Sequence, residues 1–146
     1  MAITQAIANS FKKQLLEGDH NFKSAGGDVF KLALYTAGAT LTSATTSYTT
    51  TGEVAASGQY TAGGGALVNG TVSITAGVAR ADFANLSFTG VTLTARGALI
   101  YNTSATVANA AVAVLDFGGD KSATSGTFTI QFPNPTSTAA ILRISG

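Results

Sequence analysis

Apolar residues near the N-terminus recur at helical spacing. They are Ile3, Ala6, Ile7, Phe11 and Leu15. Thr4 stands where a residue that caps a helix is expected, and Gly18 stands where a helix commonly ends. The pattern predicts a short amphipathic helix. Such a helix either packs on its own domain or forms an arm that docks on a neighbouring subunit.

After this segment the spacing changes to that of β-strands. Residues 30–35 alternate between larger apolar side chains and smaller or polar ones. Residues 37–52 are dominated by Thr, Ser and Ala, so we expect a long loop with at most one short edge strand. From Leu67 onwards, short alternating runs recur roughly every ten residues between Gly, Asn, Ser and Thr.

The second half of the chain predicts several separate strands. Residues 86–88 and 93–101 indicate two of them, and residues 111–117 are apolar on both faces, which is typical of a central strand. We expect residues 118–126 to form a turn and residues 127–132 to return as the antiparallel partner of 111–117.

About eight to ten short strands favour an all-β fold. We predict an antiparallel β-sandwich, jelly-roll-like, with one short N-terminal α-helix. The length of 146 residues fits a single domain over residues 1–146, with residues 1–22 as an N-terminal helical arm.

Composition excludes several classes of function. Only 10% of residues are charged, against about 25% in ordinary domains. A net charge of +1 argues against nucleic-acid binding by a basic face. The absence of Cys excludes disulfides, cysteine-based zinc sites and thiol nucleophiles. We predict no cofactor or metal site, no enzymatic activity and no membrane span.

Three residues are candidates for acid–base chemistry. His20 is the only imidazole in the chain and is expected in a surface turn rather than in a catalytic site. Asp116 and Asp120 flank Phe117-Gly118-Gly119. They indicate either a turn in which Asp120 accepts backbone N–H bonds, a weak calcium site, or a pair of hydrolytic carboxylates. The turn is the preferred interpretation.

Three charges lie within predicted strands of this charge-poor chain. They are Arg80, Asp82 and Arg96. One interpretation is an exposed sheet face with a surface ion pair, worth about 0–1 kcal/mol. The other is an interface salt bridge that sets the register between subunits.

Five blocks of the chain resemble a family of small virion proteins of tailed bacteriophages, common in phages of cyanobacteria. The blocks are FKKQLLEGDHNF (11–22), DVFKLALYT (28–36), YTAGGGAL (60–67), TARGALIYN (94–102) and AVAVLDFGGDKSATSGTFTIQFP (111–133). They span nearly the whole chain, and the fourth block and VLDFGGDK within the fifth are the most specific. Near Phe88, where many relatives carry Trp, this chain has Phe.

The resemblance implies a capsid decoration, or cement, protein. Such a protein is a β-rich homotrimer bound to the major capsid protein between capsomers, on the outer surface of the virion. No signal-peptide pattern is present, so we expect synthesis and folding in the host cytoplasm. The low-charge composition suits an assembly interface, with Phe11, Leu15, Phe22 and Tyr48 as candidates beside Arg80, Asp82 and Arg96.

The same blocks leave an alternative open. A tail-fibre, spike or baseplate module would recognise a host-surface glycan through exposed aromatic residues. Four tyrosines are available for that role: Tyr35, Tyr48, Tyr60 and Tyr101.

Overall fold

A computed structural model describes residues 2–133 and 140–145. Its elements are β1 (Ala6–Ile7), α1 (Asn9–Leu16), β2 (Phe30–Tyr35), β3 (Gly65–Ala66), β4 (Ser73–Thr75), β5 (Val78–Ala81), β6 (Leu86–Asn102), β7 (Ala110–Ile130) and β8 (Leu142–Ile144). The predicted antiparallel β-sandwich with one short N-terminal helix is confirmed.

Two antiparallel sheets contain all of these strands. The larger sheet has the order β1-β7-β6-β2-β3, and the smaller has the order β4-β5-β8. The order differs from a jelly roll, whose eight strands form two Greek keys. It differs because β6 and β7 pair with each other over most of their length as one hairpin in a single sheet.

The β6–β7 hairpin corrects two predictions. Residues 118–126 are not a turn but part of β7, and residues 128–130 pair with residues 86–88 of β6 rather than with 111–117. The two strands predicted over residues 86–101 are one strand for the same reason. Gly118 adopts a positive φ of 78°, and the hairpin register shifts at several points. The chain therefore absorbs its glycines in irregularities of the ladder without reversing direction.

Burial divides the hairpin into two parts. Residues 97–102 and 110–114 are buried on both faces, as predicted for a central strand, and β7 indeed lies between β1 and β6. Towards the other end, buried and exposed residues alternate along β6. That end therefore shows one sheet face to solvent.

The helix begins later than predicted. Ala6 and Ile7 pair with β7, and the helix starts only at Asn9. Thr4 is not the cap, since Ala8 occupies that position without a side-chain cap. Pairing with the edge of β7 satisfies the backbone of residues 6–8 before a helix can form.

The end of the helix is as predicted. Gly18 follows the C-cap residue Glu17 and adopts a φ of 80°, which favours glycine. The helix packs on its own sheet, with Phe11 only 2% exposed. Residues 37–52 form the predicted loop, which makes only isolated bridges.

Candidate functional site

An open apolar groove of about 840 Å³ lies between α1 and the smaller sheet. Phe11 and Leu15 of α1 line one wall, and Phe22 comes from the segment that follows the helix. Ala81 of β5 and Leu142 of β8 line the other wall. Its volume is within the range of small-molecule pockets in proteins, about 300–1,000 Å³.

Aromatic packing fixes the wall formed by the N-terminal segment. The ring of Phe22 stacks on Phe30 of β2 with centroids 4.4 Å apart, and it meets Phe11 edge-on at 5.9 Å. Phe30 is fully buried in the core. The groove wall is therefore an extension of the core and is held rigidly.

Large hydrophobic residues remain exposed along the rim of the groove. Leu16 is 91% exposed, Ile144 is 60% exposed and Val72 is 46% exposed. Ile74 of β4, which is in the same small sheet, is 71% exposed. Single exposed apolar residues are normal on a surface, but three of these four also line the apolar groove.

The charges that line the groove are all positive. Four basic residues line it: Lys12, Lys23, Arg80 and Arg143. They are half of the eight Lys and Arg residues of the chain. None of the seven Asp and Glu residues, all within the described ranges, lines it. Basic side chains are therefore concentrated at this groove, although the net charge of the chain is only +1.

Three of these cations lack a carboxylate partner. Among the residues that the structure describes, Lys12, Lys23 and Arg80 form no ion pair within 4 Å. Arg80 donates from Nε and Nη2 to the Ser73 hydroxyl, at 3.2 and 2.7 Å. Its guanidinium is thus positioned, but its charge is not neutralised.

The structure brings together four of the seven interface candidates. Phe11, Leu15, Phe22 and Arg80 all line the groove. The other three, Tyr48, Asp82 and Arg96, do not line it.

Arg96 lies in β6, whereas Asp82 follows directly after the end of β5 and so is not within a strand as predicted; the two do not pair with each other. Arg96 Nε lies 3.5 Å from an Asp116 carboxylate oxygen, in a partly exposed ion pair within the chain. Asp82 Oδ1 is buried and has no hydrogen-bond partner among the described residues, and burial raises the pKa of this carboxyl group.

The four tyrosines gather around one carboxylate, which the sequence did not indicate. The Tyr48 and Tyr60 hydroxyls donate to the two oxygens of Glu53 at 2.5 and 2.8 Å, and the Gly63 N–H donates to one of them at 2.8 Å. Tyr101 stacks on Tyr48 at 4.9 Å and donates to the Gly63 carbonyl at 2.6 Å. We call Glu53 and the four tyrosines the tyrosine cluster.

Tyr35 completes the tyrosine cluster by donating to the Thr49 carbonyl at 2.6 Å. Burial raises the pKa of each of the four hydroxyls, that of Tyr101 to about 12. All four therefore stay protonated as donors at neutral pH. Their bonds fasten the long β2–β3 connection to the large sheet, which is a structural task.

His20 is buried, so its expected surface position was wrong. It is 7% exposed and packs against Phe11 with centroids 4.7 Å apart. Its Nε2 lies 2.9 Å from Gln14 Oε1, and its Nδ1 lies 2.9 Å from Asn102 Nδ2. Burial lowers the pKa of His20 despite the nearby carboxylate of Asp28. The neutral ring fits both contacts, donating to Gln14 and accepting from Asn102.

The Asp116–Asp120 region does not form the expected turn. The Asp116 carboxylate accepts the Gly118 N–H at 2.9 Å, and Asp120 is exposed within β7. Over residues 2–133 and 140–145, no group of three or more His, Asp or Glu side chains is placed to hold a metal ion.

No helix in the described part of the chain is both long and apolar enough to cross a membrane. Comparison of the chain with family models, curated proteins and solved structures gave no match.

Proposed function

We propose that this chain is a structural subunit of a bacteriophage virion, and most specifically a capsid decoration protein. In this role a homotrimer binds the major capsid protein on the outer capsid surface, between capsomers, and stabilises the shell. The five sequence blocks that resemble small phage virion proteins support this role.

One structural observation carries the proposal: the open apolar groove with its exposed rim. A free monomer gains nothing from Leu16 at 91% exposure, because that side chain makes almost no contact within its own chain. Covering this surface with a partner would remove it from water. A subunit that stays assembled has such a partner permanently.

The end of the β6–β7 hairpin that lies far from its connecting turn supports the same role. Its exposed face carries hydroxyl pairs across the strands, Ser87 with Thr129 at 2.9 Å and Thr94 with Ser122 at 2.8 Å. These pairs place uncharged hydroxyl groups on the exposed face of the sheet. Contacts with a regular shell then depend on shape and backbone groups more than on charge.

Two measurements test the proposal. Light scattering of the purified chain is expected to give three times its 14.6 kDa mass. Sedimentation with virions stripped of their accessory proteins is expected to carry the chain into the particle pellet at saturable stoichiometry. A monomer at high concentration that never pellets with particles would contradict the proposal.

The tail-module alternative predicts a different partner, a host-surface glycan. The tyrosine cluster supports it less, because all four hydroxyls are engaged within the chain. Only Tyr48 of the four is half-buried rather than buried. Specific binding on a glycan array, lost in Tyr48→Ala, would favour the alternative.

A further inference from the structure

We propose that the groove binds an acidic amphipathic segment of the partner protein. The inference rests on the proposed function, since it names the chemistry of the segment that the decoration protein recognises. Apolar side chains of the segment would enter the groove beside Phe22 and Leu142, and its carboxylates would meet the cations on the walls.

The sign of the charge follows from the distribution of cations. Within residues 2–133 and 140–145, four basic residues and no acidic residue line the groove. Lys12, Lys23 and Arg80 have no carboxylate within 4 Å among the residues described. A partner with carboxylates would supply the missing counter-charges, whereas a basic partner would be repelled.

Arg80 is prepared for such a contact. Ser73 accepts two of its N–H bonds and so limits the motion of the guanidinium. A guanidinium has five N–H donors, so donors remain for a carboxylate. Little side-chain freedom is then lost when the partner binds.

The size of the apolar surface favours a polypeptide over a small molecule. A small ligand in the groove would leave Leu16 and Ile144 in water, because they stand on the rim at 91% and 60% exposure. A helix with apolar residues on one face covers both a groove and its rim. The same helix can present carboxylates at its flanks.

A matched pair of lysines in α1 tests the role of charge. Lys12 lines the groove, whereas the adjacent Lys13 does not and pairs with Glu17 at 2.6 Å. The probe is a fluorescent peptide of Leu and Glu at helical spacing, with a counterpart in which Lys replaces every Glu. We expect the acidic peptide to bind the full chain and the basic counterpart not to bind it. Lys12→Glu should weaken its binding about tenfold and Lys13→Glu at most about twofold.

A second matched pair tests the apolar rim. Leu16 and Val107 are both exposed, at 91% and 47%, but only Leu16 lines the groove. Leu16→Ser should weaken peptide binding by about tenfold, because it removes apolar contact without adding charge, and Val107→Ser should leave it unchanged. Equal unfolding midpoints for all four variants would show that the fold is intact.

The same variants in the particle sedimentation assay separate the two proposals. Peptide binding without particle binding would leave the groove inference standing and overturn decoration. Particle binding that is equal in all variants, with no binding of the acidic peptide, would overturn the groove inference and leave decoration standing. Equal binding of both peptides would overturn the acidic partner, and failure of both assays would overturn both proposals.

Discussion

The tyrosine cluster and the groove are both rich in large side chains, but they treat their polar groups in opposite ways. In the cluster, Glu53 accepts three hydrogen bonds and every tyrosine hydroxyl donates within the chain. In the groove, Lys12 and Lys23 line an apolar surface without a carboxylate partner among the described residues, and Leu16 lies almost wholly in water.

This difference separates stability from recognition. A buried polar group that has all its partners holds a fold together, and its loss is costly. Apolar surface and unpaired charge left exposed add little to the fold and are available to a partner. Mutations in the tyrosine cluster should therefore lower the free energy of unfolding, whereas mutations of the exposed rim and of the unpaired cations of the groove should lower binding.

Within the tyrosine cluster, the largest effect is expected for Glu53→Ala. The change removes the acceptor of the Tyr48 and Tyr60 hydroxyls and of the Gly63 N–H, and Tyr60 is fully buried. We expect the free energy of unfolding to fall by about 3 kcal/mol. Urea unfolding followed by circular dichroism measures it, with the exposed Asp120→Ala as a control that stays within about 0.5 kcal/mol. A loss under about 1 kcal/mol for Glu53→Ala would show that the cluster is not a structural lock.

A smaller loss is expected for Tyr60→Phe. The Tyr60 hydroxyl donates to Glu53 and accepts the Leu34 N–H at 2.8 Å, inside the buried sheet. Its removal leaves that N–H unpaired, at about 2 kcal/mol. Tyr48→Phe removes one bond of a half-buried ring and should cost about 1 kcal/mol. Equal losses in the two variants would mean that burial does not determine how much each hydroxyl contributes to stability.

Because of His20, we expect the free energy of unfolding to depend on pH below about 6.5. Burial lowers its pKa in the folded state, so the unfolded chain binds the proton more readily. The free energy of unfolding should therefore fall as the pH is lowered through 6.5, the ordinary pKa of His. Urea unfolding at pH 7.5 and at pH 5.5 measures the fall, and His20→Gln should flatten it. An equal fall in the variant would assign the effect to carboxyl groups.

The smallest effect on stability is expected for Leu16→Ser. At 91% exposure the side chain contributes almost no contacts, so the free energy of unfolding should change by under about 0.5 kcal/mol. In contrast, Phe11→Ala in the same helix should cost about 3–5 kcal/mol, because Phe11 is 2% exposed. Thermal unfolding of both variants makes the comparison. A large loss in Leu16→Ser would mean that the rim serves the fold.

Local patterns in the sequence predicted much of the fold. Residues 30–35 alternate in polarity, and residues 111–117 are apolar on both faces. Both patterns depend only on residues close together in the sequence, and both segments are strands in the structure. Gly118 could not be interpreted in the same way, because glycine serves in both turns and bulges. The predicted start of the helix was wrong because Ala6 and Ile7 pair with a strand that lies more than 100 residues later in the sequence.

The site was predictable only in part for the same physical reason. Phe11 and Leu15 were identified as one helix face, and that face lines the groove. The tyrosine cluster was not identified, because Tyr35, Tyr48, Tyr60 and Tyr101 come from separate elements and loops that only the folded sheet brings together.

The most direct test of the central claim is the copy number of this chain in purified virions, relative to the major capsid protein, by quantitative mass spectrometry. A decoration protein that covers the shell should be present at a copy number of the same order as the major capsid protein. A copy number that is a small fraction of that value would contradict decoration and favour the tail, and absence from the particle would contradict a structural role in the virion.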